Sequence, residues 1–294
     1  MRSTTFRIAA LAAATALTLS ACGDDSGETD ADAGGEGENS EESAEEGGGE
    51  GSGDGLTIGI KYDQPGLGLN EGGDPSGMDV DVAKAVAEAM GYTEDQIEWA
   101  EAISSAREDL LESNQVDMIF ATYSITDERK ERVQFAGPYF VAGQDLLVPV
   151  DSDVEGPDSL GDALLCSVTG STSAERVRDD YGASLQEYGS YSECMEAMSS
   201  GTIGALTTDD TILAGFAAQE QYAGQFKVVG NTFSEENYGV GLNQDSDQCE
   251  EINEILTGLW EDGTMDQIIQ DNLGAADYTP NADLNPPEVG GHCA

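Results

Sequence analysis

The stretch VDMIFATYSITDERKERVQFAGPYF, residues 116–140, carries the main signals of the fold. It begins with an apolar run that is typical of a buried β-strand, and hydroxyl groups follow at Thr122, Ser124 and Thr126. A short helix starting there would present unpaired N–H groups and partial positive charge beside Arg129. Because a guanidinium binds a carboxylate through two parallel hydrogen bonds, the stretch predicts an anion-binding corner after a strand.

A solvated charged face is the alternative interpretation of the same corner. Three basic residues, Arg129, Lys130 and Arg132, are interspersed with Glu128 and Glu131. Exposed pairs of this kind are common and stabilise little. These residues by themselves leave both interpretations open.

Strand and helix patterns alternate on either side of this stretch. An apolar strand at Leu56–Ile60 precedes a helix that Asp79 would cap and Gly91 would end. A second alternating set follows residues 136–150, and two amphipathic helices are predicted at 249–260 and 265–273. The pattern predicts an α/β fold of parallel strands, in two parts joined by two crossovers around a ligand cleft.

The N-terminus predicts export. Arg2 and Arg7 precede an apolar run at 8–19 that is too short to span a bilayer, so 1–21 is predicted to be a signal peptide. The run ends in LSAC, which resembles the lipobox of bacterial lipoproteins and makes Cys22 the expected lipidation site; the alternative is an unmodified cysteine in a cleaved signal. Residues 22–55 are predicted to be a lipid anchor and disordered acidic linker.

Charge excludes one class of partner. The linker carries 13 of the 59 acidic residues, which leaves 46 acids against nine bases in residues 56–294. Nucleic-acid binding needs a basic surface, so we expect no nucleic-acid partner.

Four cysteines besides Cys22 permit three disulfide pairings. An oxidising compartment favours disulfides, and sequence neighbourhood favours Cys166 with Cys194 and Cys249 with Cys293. A zinc site is the competing interpretation, but no C-x-x-C pair is present and His292 is the chain's one histidine. We therefore expect no metal.

Three further positions are candidates for ligand contact. Gly170 permits a tight turn before Thr172, which with Glu175 matches a helix-capping box and would also direct amides at an anion. Asp209 follows a strand, where it would meet an ammonium group or cap the next helix. Lys61 ends the first strand, as an exposed lysine or as a cation in the cleft.

The order of several fragments is similar to that of a known family. Five fragments, in this order along the chain, resemble the polar amino-acid (family 3) substrate-binding proteins of bacterial ABC importers. They are SGMDVDVAKAVAEAMG, the stretch at 116–140, LCSVTGSTSAERV, GALTTDDTIL and YGVGL. KYDQPGLGL, ATYSIT and LCSVTGST look like the glutamate-binding lipoproteins of actinobacteria. The resemblance implies a two-lobed type II periplasmic-binding-protein fold with two crossover strands: lobe 1 at 56–145 plus 240–276, lobe 2 at 146–239, and a tail at 277–294.

The resemblance also implies how an amino acid is held. Arg129 would bind the α-carboxylate with the hydroxyls of Ser124 and Thr172 and a backbone contact near Thr122, and Asp209 would bind the α-ammonium. The second carboxylate of glutamate would fall to Lys61, with Arg107 as a helper.

The expected function is capture of L-glutamate by a monomeric lipoprotein on the outer face of the cell membrane and delivery to the permease of an ABC importer, without catalysis or cofactor. Glutamine, aspartate and asparagine are alternative ligands. A cyclohexadienyl-dehydratase-like enzyme and a ligand-reporting subunit of a membrane sensor are alternative functions.

Overall fold

The structure is a computed structural model that describes residues 55–294. The predicted signal peptide, Cys22 and the predicted linker up to residue 54 lie outside the described residues. Between residues 55 and 294, no helix combines the length and apolar character needed to cross a membrane.

The first sheet has five strands and contains the apolar runs that flank the opening stretch. In spatial order the strands are β4, β1, β5, β12 and β6: Ile97–Glu101, Leu56–Ile60, Met118–Phe120, Glu236–Asn243 and Val133–Ala142. β1 pairs in parallel with β4 and β5, whereas β12 is antiparallel to both β5 and β6. The sheet is therefore mixed, and the expectation of parallel strands holds for part of it.

The second sheet also has five strands. In spatial order they are β11, β7, β10, β8 and β9: Phe226–Val228, Gln144–Pro149, Ala205–Asp209, Leu165–Val168 and Leu185–Tyr188. β8 is parallel to β9 and β10, and β7 is antiparallel to β10 and β11. A two-stranded hairpin, β2 at Asp63–Gln64 and β3 at Gly68–Leu69, follows β1.

Within the described part of the chain, eight α-helices pack on these sheets. In chain order, α1 to α8 are Met78–Ala89, Arg107–Glu112, Asp127–Lys130, Thr172–Asp179, Tyr191–Ser199, Asp210–Ala218, Cys249–Glu261 and Thr264–Leu273. Their apolar faces cover the sheets, as Val82 and Val86 of α1 and Ile252 and Leu256 of α7 show by their complete burial.

The chain crosses between the sheets twice, at neighbouring positions. It leaves the first sheet at Gly143 and returns through residues 229–235. The crossings are joined by hydrogen bonds from the Phe233 N–H to the Gln144 carbonyl and from the Gln144 N–H to Ser234 Oγ. The predicted lobe boundaries, after residues 145 and 239, fall inside β7 and β12.

Asp79 does not cap α1, contrary to the prediction. The cap position is Gly77, and Asp79 lies inside the helix with its side chain buried. Its carboxylate accepts hydrogen bonds from the Thr122 N–H at 2.9 Å and the Tyr139 hydroxyl at 2.7 Å. Asp79 therefore anchors the backbone just after β5.

Two disulfides, Cys166–Cys194 and Cys249–Cys293, join the pairs that sequence neighbourhood favoured. The first links β8 to α5, and the second ties residues 277–294 to α7. The tail also makes backbone hydrogen bonds to the first sheet, from Gly290 to Gly137 and from Phe135 to His292. These contacts fix the tail against β6.

Candidate ligand-binding site

A small polar cavity lies between the two sheets, with room for about 10 Å³, the space of a single water molecule. The two sides of the cavity must therefore move apart to admit any larger ligand. Eleven residues line it: Ser104, Arg107, Thr122, Ser124, Arg129, Ser171, Thr172, Ser173, Tyr191, Thr208 and Asp209. Six of the seven predicted contacts are among them, and Lys61 is not.

Arg129 projects from α3 across the cavity. Its Nη1 donates to the Ser124 carbonyl at 2.7 Å, and its Nη2 donates to the Gly170 carbonyl, on the other side of the cavity, at 3.2 Å. Nε lies 3.3 Å from Glu108 Oε1, and the guanidinium covers the Tyr123 ring at 4.9 Å. Arg129 is thus held inside the molecule, which excludes the solvated-face interpretation for this residue.

The turn at Gly170 permits the two sides of the cavity to approach each other closely. Gly170 has a φ of 78°, which favours glycine, and a Cβ at this position would lie 2.8 Å from Ser105 Cα. Any larger residue would hold the sides apart.

Arg107 is the second cation of the cavity. Its side chain is buried, its Nε donates to the Ala102 carbonyl at 3.3 Å, and its guanidinium lies 5.1 Å from the Tyr123 ring centroid. Within residues 55–294, Nη2 has no hydrogen-bond partner. Burial, and next the nearby charge of Arg129, lower the pKa of Arg107, so both physical causes disfavour its charge until an anion compensates it.

Thr122 is held in an unusual backbone conformation at the end of β5. Its φ of 46° is in the left-handed region, which costs a non-glycine residue about 1–2 kcal/mol. Asp79 accepts the Thr122 N–H, and the Thr122 hydroxyl accepts from Gln64 and donates to the Ala121 carbonyl, so the Thr122 carbonyl is the group left for a ligand. Ser124, two residues on, places its Oγ 3.5 Å from Thr172 Oγ1 across the cavity.

The cap of α4 is Ser171 rather than Thr172, which corrects the predicted capping box. Ser171 Oγ accepts the Ala174 N–H at 3.1 Å. Thr172 is therefore the first helical residue, and its hydroxyl is free to line the cavity, where it donates to Glu236 Oε2 at 3.1 Å.

Asp209 also lines the cavity and makes no capping hydrogen bond to α6. Its carboxylate accepts from the Tyr238 hydroxyl at 2.7 Å and from Ser173 Oγ at 3.4 Å. Burial, together with the negative charge of Glu236, raises its pKa to about 8. A buried carboxylate in this state gains greatly from a cationic partner.

Lys61 lies behind the cavity wall. It is fully buried and forms an ion pair with Asp63, and its Nζ lies 5.8 Å from the centroid of the Tyr191 ring. Burial lowers the pKa of Lys61, and the charge of Asp63 opposes that shift. Lys61 therefore contacts the lining residue Tyr191 but does not itself line the cavity.

Sequence reasoning missed five lining residues: Ser104, Ser171, Ser173, Tyr191 and Thr208. Ser173 and Thr208 are next to predicted contacts in the sequence, and that position is the one signal that could have predicted them. Tyr191 had no comparable signal, because its sequence context reads as an ordinary helix start.

Comparison with known proteins gives consistent matches. The family model described as "Bacterial extracellular solute-binding proteins, family 3" matches residues 56–275. The glutamate-binding protein GluB of Corynebacterium glutamicum is 44% identical over 91% of this chain and 90% of its own length.

Solved structures show the same fold. An ancestral arginine-binding protein bound to arginine is 31% identical, with a TM-score of 0.68 over 74% of this chain and 98% of its own. The GluR0 ligand-binding core of Nostoc punctiforme in complex with L-glutamate is 26% identical, with a TM-score of 0.65 over 74% and 98%. These matches confirm the predicted type II periplasmic-binding fold.

The family match covers both sheets and the cavity between them, and these relatives are binding proteins, which counts against the dehydratase-like alternative. The chain therefore belongs to the bacterial extracellular solute-binding proteins, family 3, and is an extracytoplasmic amino-acid-binding protein rather than an enzyme.

Proposed function

We propose that the protein captures L-glutamate outside the cell membrane, to which lipid on Cys22 anchors it, and delivers it to an ABC importer. The observation that carries the choice of glutamate is the Arg107 guanidinium, which is buried at the cavity with an unpartnered Nη2. A buried cation of this kind calls for an anionic partner.

The charges of the cavity match glutamate group by group. Four lining residues support this proposal: Asp209 would bind the α-ammonium, and Arg129 with Ser124 and Thr172 would bind the α-carboxylate. Arg107 is then the remaining cation of the lining and is available for a side-chain carboxylate. The relative at 44% identity, which is named as a glutamate-binding protein, supports the same ligand.

The family resemblance predicts Lys61 as the partner of the side-chain carboxylate, but the contacts of the two cations favour Arg107 for that role. Asp63 already compensates the charge of Lys61, whereas the described residues leave an Arg107 nitrogen without an acceptor.

A thermal-shift screen of the twenty amino acids tests the ligand. We expect L-glutamate to raise the melting temperature more than glutamine, aspartate or asparagine, because a ligand that binds the folded form stabilises it. A larger shift with glutamine than with glutamate would identify glutamine as the ligand. No shift with any amino acid would refute amino-acid binding.

Arg107→Gln tests the side-chain contact. We expect glutamate affinity, measured by calorimetry, to fall by at least about 30-fold, in line with about 2 kcal/mol or more for a buried charge that loses its partner. Glutamine affinity should fall only a few-fold.

Arg132→Gln is the matched control, since Arg132 forms ion pairs with Asp109 and Glu112 on the surface. It should leave both affinities unchanged. Equal losses for glutamate and glutamine in Arg107→Gln would contradict the assignment.

The anchor and the transport role need tests in cells. We expect Cys22→Ala to abolish labelling by a radioactive fatty acid and to release the protein from the membrane. Deletion of the gene should abolish high-affinity glutamate uptake. Normal uptake combined with loss of a glutamate-induced signalling response would favour the sensor alternative.

A further inference from the structure

Tyr191 brings an unused hydrogen-bond donor to the cavity. It is the first residue of α5, its side chain is buried, and it lines the cavity. Its hydroxyl oxygen accepts a hydrogen bond from Thr208 Oγ1 at 2.7 Å. A phenol has one hydrogen to donate as well as lone pairs to accept, and the contacts within residues 55–294 give this hydrogen no acceptor.

The hydroxyl stays protonated under physiological conditions. Burial, and next the charge of Asp209, raise the pKa of Tyr191. The group is therefore a donor, and it shares the cavity with the unpartnered Nη2 of Arg107.

Contacts from the other side of the cavity hold Tyr191 in place. Its backbone N–H donates to Asp63 Oδ2 at 2.6 Å, and Lys61 Nζ faces its ring. Lys61 and Asp63 also pair with each other. Both follow β1 of the first sheet, whereas Tyr191 belongs to a helix on the second, so the contact forms across the two halves of the site.

We propose that Tyr191 is a specificity-determining residue whose hydroxyl donates to the side-chain carboxylate of the ligand beside Arg107, and that the Lys61–Asp63 pair positions it. The proposal deepens the proposed function and rests on it. It gives Lys61 a positioning role in place of direct ligand contact.

Two donors distinguish an acid from its amide. A carboxylate has two accepting oxygens and no hydrogen, so Arg107 and Tyr191 can each donate to one oxygen. The side-chain amide of glutamine has one accepting oxygen and an NH₂ group. One of the two donors would then face another donor, and a buried polar group would lose its partner.

Tyr191→Phe removes the hydroxyl alone, and calorimetry with L-glutamate and L-glutamine measures the effect. We expect glutamate affinity to fall about tenfold or more, as for a lost hydrogen bond to a charged group, and glutamine affinity to change less. Tyr181→Phe, at an exposed position, is the matched control and should change neither affinity.

Asp63→Asn tests the positioning. We expect it to reduce the preference for glutamate over glutamine, and to add little to Tyr191→Phe in the double variant, because both changes act on one contact. Asp74→Asn, at an exposed position of the same segment, is its control.

The outcomes separate the two proposals. If the wild-type protein binds glutamate but Tyr191→Phe has no effect, or weakens both ligands equally, the role of Tyr191 is refuted while the proposed function stands. If the wild-type protein binds neither ligand, both proposals fall. Melting temperatures of all variants check that each is folded.

Discussion

Asp209 shows how burial prepares a single carboxylate for a cation. Tyr238 and Ser173 donate to it, Glu236 and Asp210 lie near it with negative charge, and Arg176 is the nearby cation. Burial and the charge of Glu236 raise its pKa to about 8, which favours the neutral form in the ligand-free protein. An arriving ammonium group favours the ionised form and lowers this pKa.

Ligand binding should therefore release a proton from Asp209. We expect affinity for amino acids to increase as the pH rises from about 6 to about 8. Calorimetry at pH 7 in buffers of different ionisation enthalpy should show net release of protons on binding.

Asp209→Asn should bind weakly and without this pH dependence, whereas Glu235→Gln, at an exposed position, should behave as wild type. Wild-type binding without proton release would contradict the assignment. In the ligand-free protein, the pKa lies above the ordinary 3.8, so the free energy of unfolding should decrease as the pH rises from about 4 to about 8.

Single residues were predictable where their position follows from a strand end. Strand ends made Arg129, Ser124 and Asp209 candidates, because strand ends of an α/β fold meet at the cleft, and all three line the cavity. Their ligand roles came from the family resemblance. Lys61 also ends a strand, yet no sequence rule reveals that it pairs with Asp63. Nor does any rule reveal that Asp63 accepts the backbone N–H of Tyr191. Tyr191 depends on a contact between segments 128 residues apart, which local patterns do not encode.

Helix α4 shows the limits of prediction at the scale of an element. The sequence STSAE contains three hydroxyl residues in a row, and both Ser171 and Thr172 are plausible caps for the helix. The structure uses Ser171 as the cap and turns Thr172 toward the cavity and Glu236. A shift of one residue thus decides which hydroxyl stabilises the helix and which one meets the ligand.

Substitutions in α4 should separate these two roles. We expect Ser171→Ala to lower the free energy of unfolding by about 1 kcal/mol, the usual value of such a cap, and the melting temperature by about 2–4 °C. Thr172→Val should leave stability nearly unchanged and weaken glutamate binding. Thermal unfolding and calorimetry measure both, and a larger loss of stability in Thr172→Val would show that the cap is assigned to the wrong residue.

Element directions were harder to predict than element positions. The helices were recognisable because their apolar residues repeat with the helical period, as in α7. Strand direction depends on where the chain returns from the second sheet. β12 comes back beside β5 and runs antiparallel to it, and an apolar run such as YGVGL contains no signal for that choice.

The whole molecule carries a large excess of negative charge, with 46 acids against nine bases in residues 56–294. The cavity is the exception, because Arg107 and Arg129 lie together there and Lys61 lies just behind its wall. A cationic site inside an anionic body attracts an acidic ligand only at short range, since mobile ions screen the outer charges.

Salt should therefore stabilise the protein as a whole. We expect the melting temperature to rise as NaCl increases from about 0.05 to about 1 M, because screening reduces repulsion among the surface carboxylates. The increase should shrink near pH 4, where many carboxylates are protonated. An equal salt effect at pH 7 and pH 4 would show that charge repulsion is not its cause.

The attachment of the tail has a practical consequence for optical sensors. The Cys249–Cys293 bond and the hydrogen bond from the Ala294 N–H to Gln134 fasten the last residues to the first sheet. A donor dye at residue 291 would therefore move with that sheet, and an acceptor dye at residue 181 would move with the second. Energy transfer between the two dyes would then report the angle between the sheets without a label near the cavity.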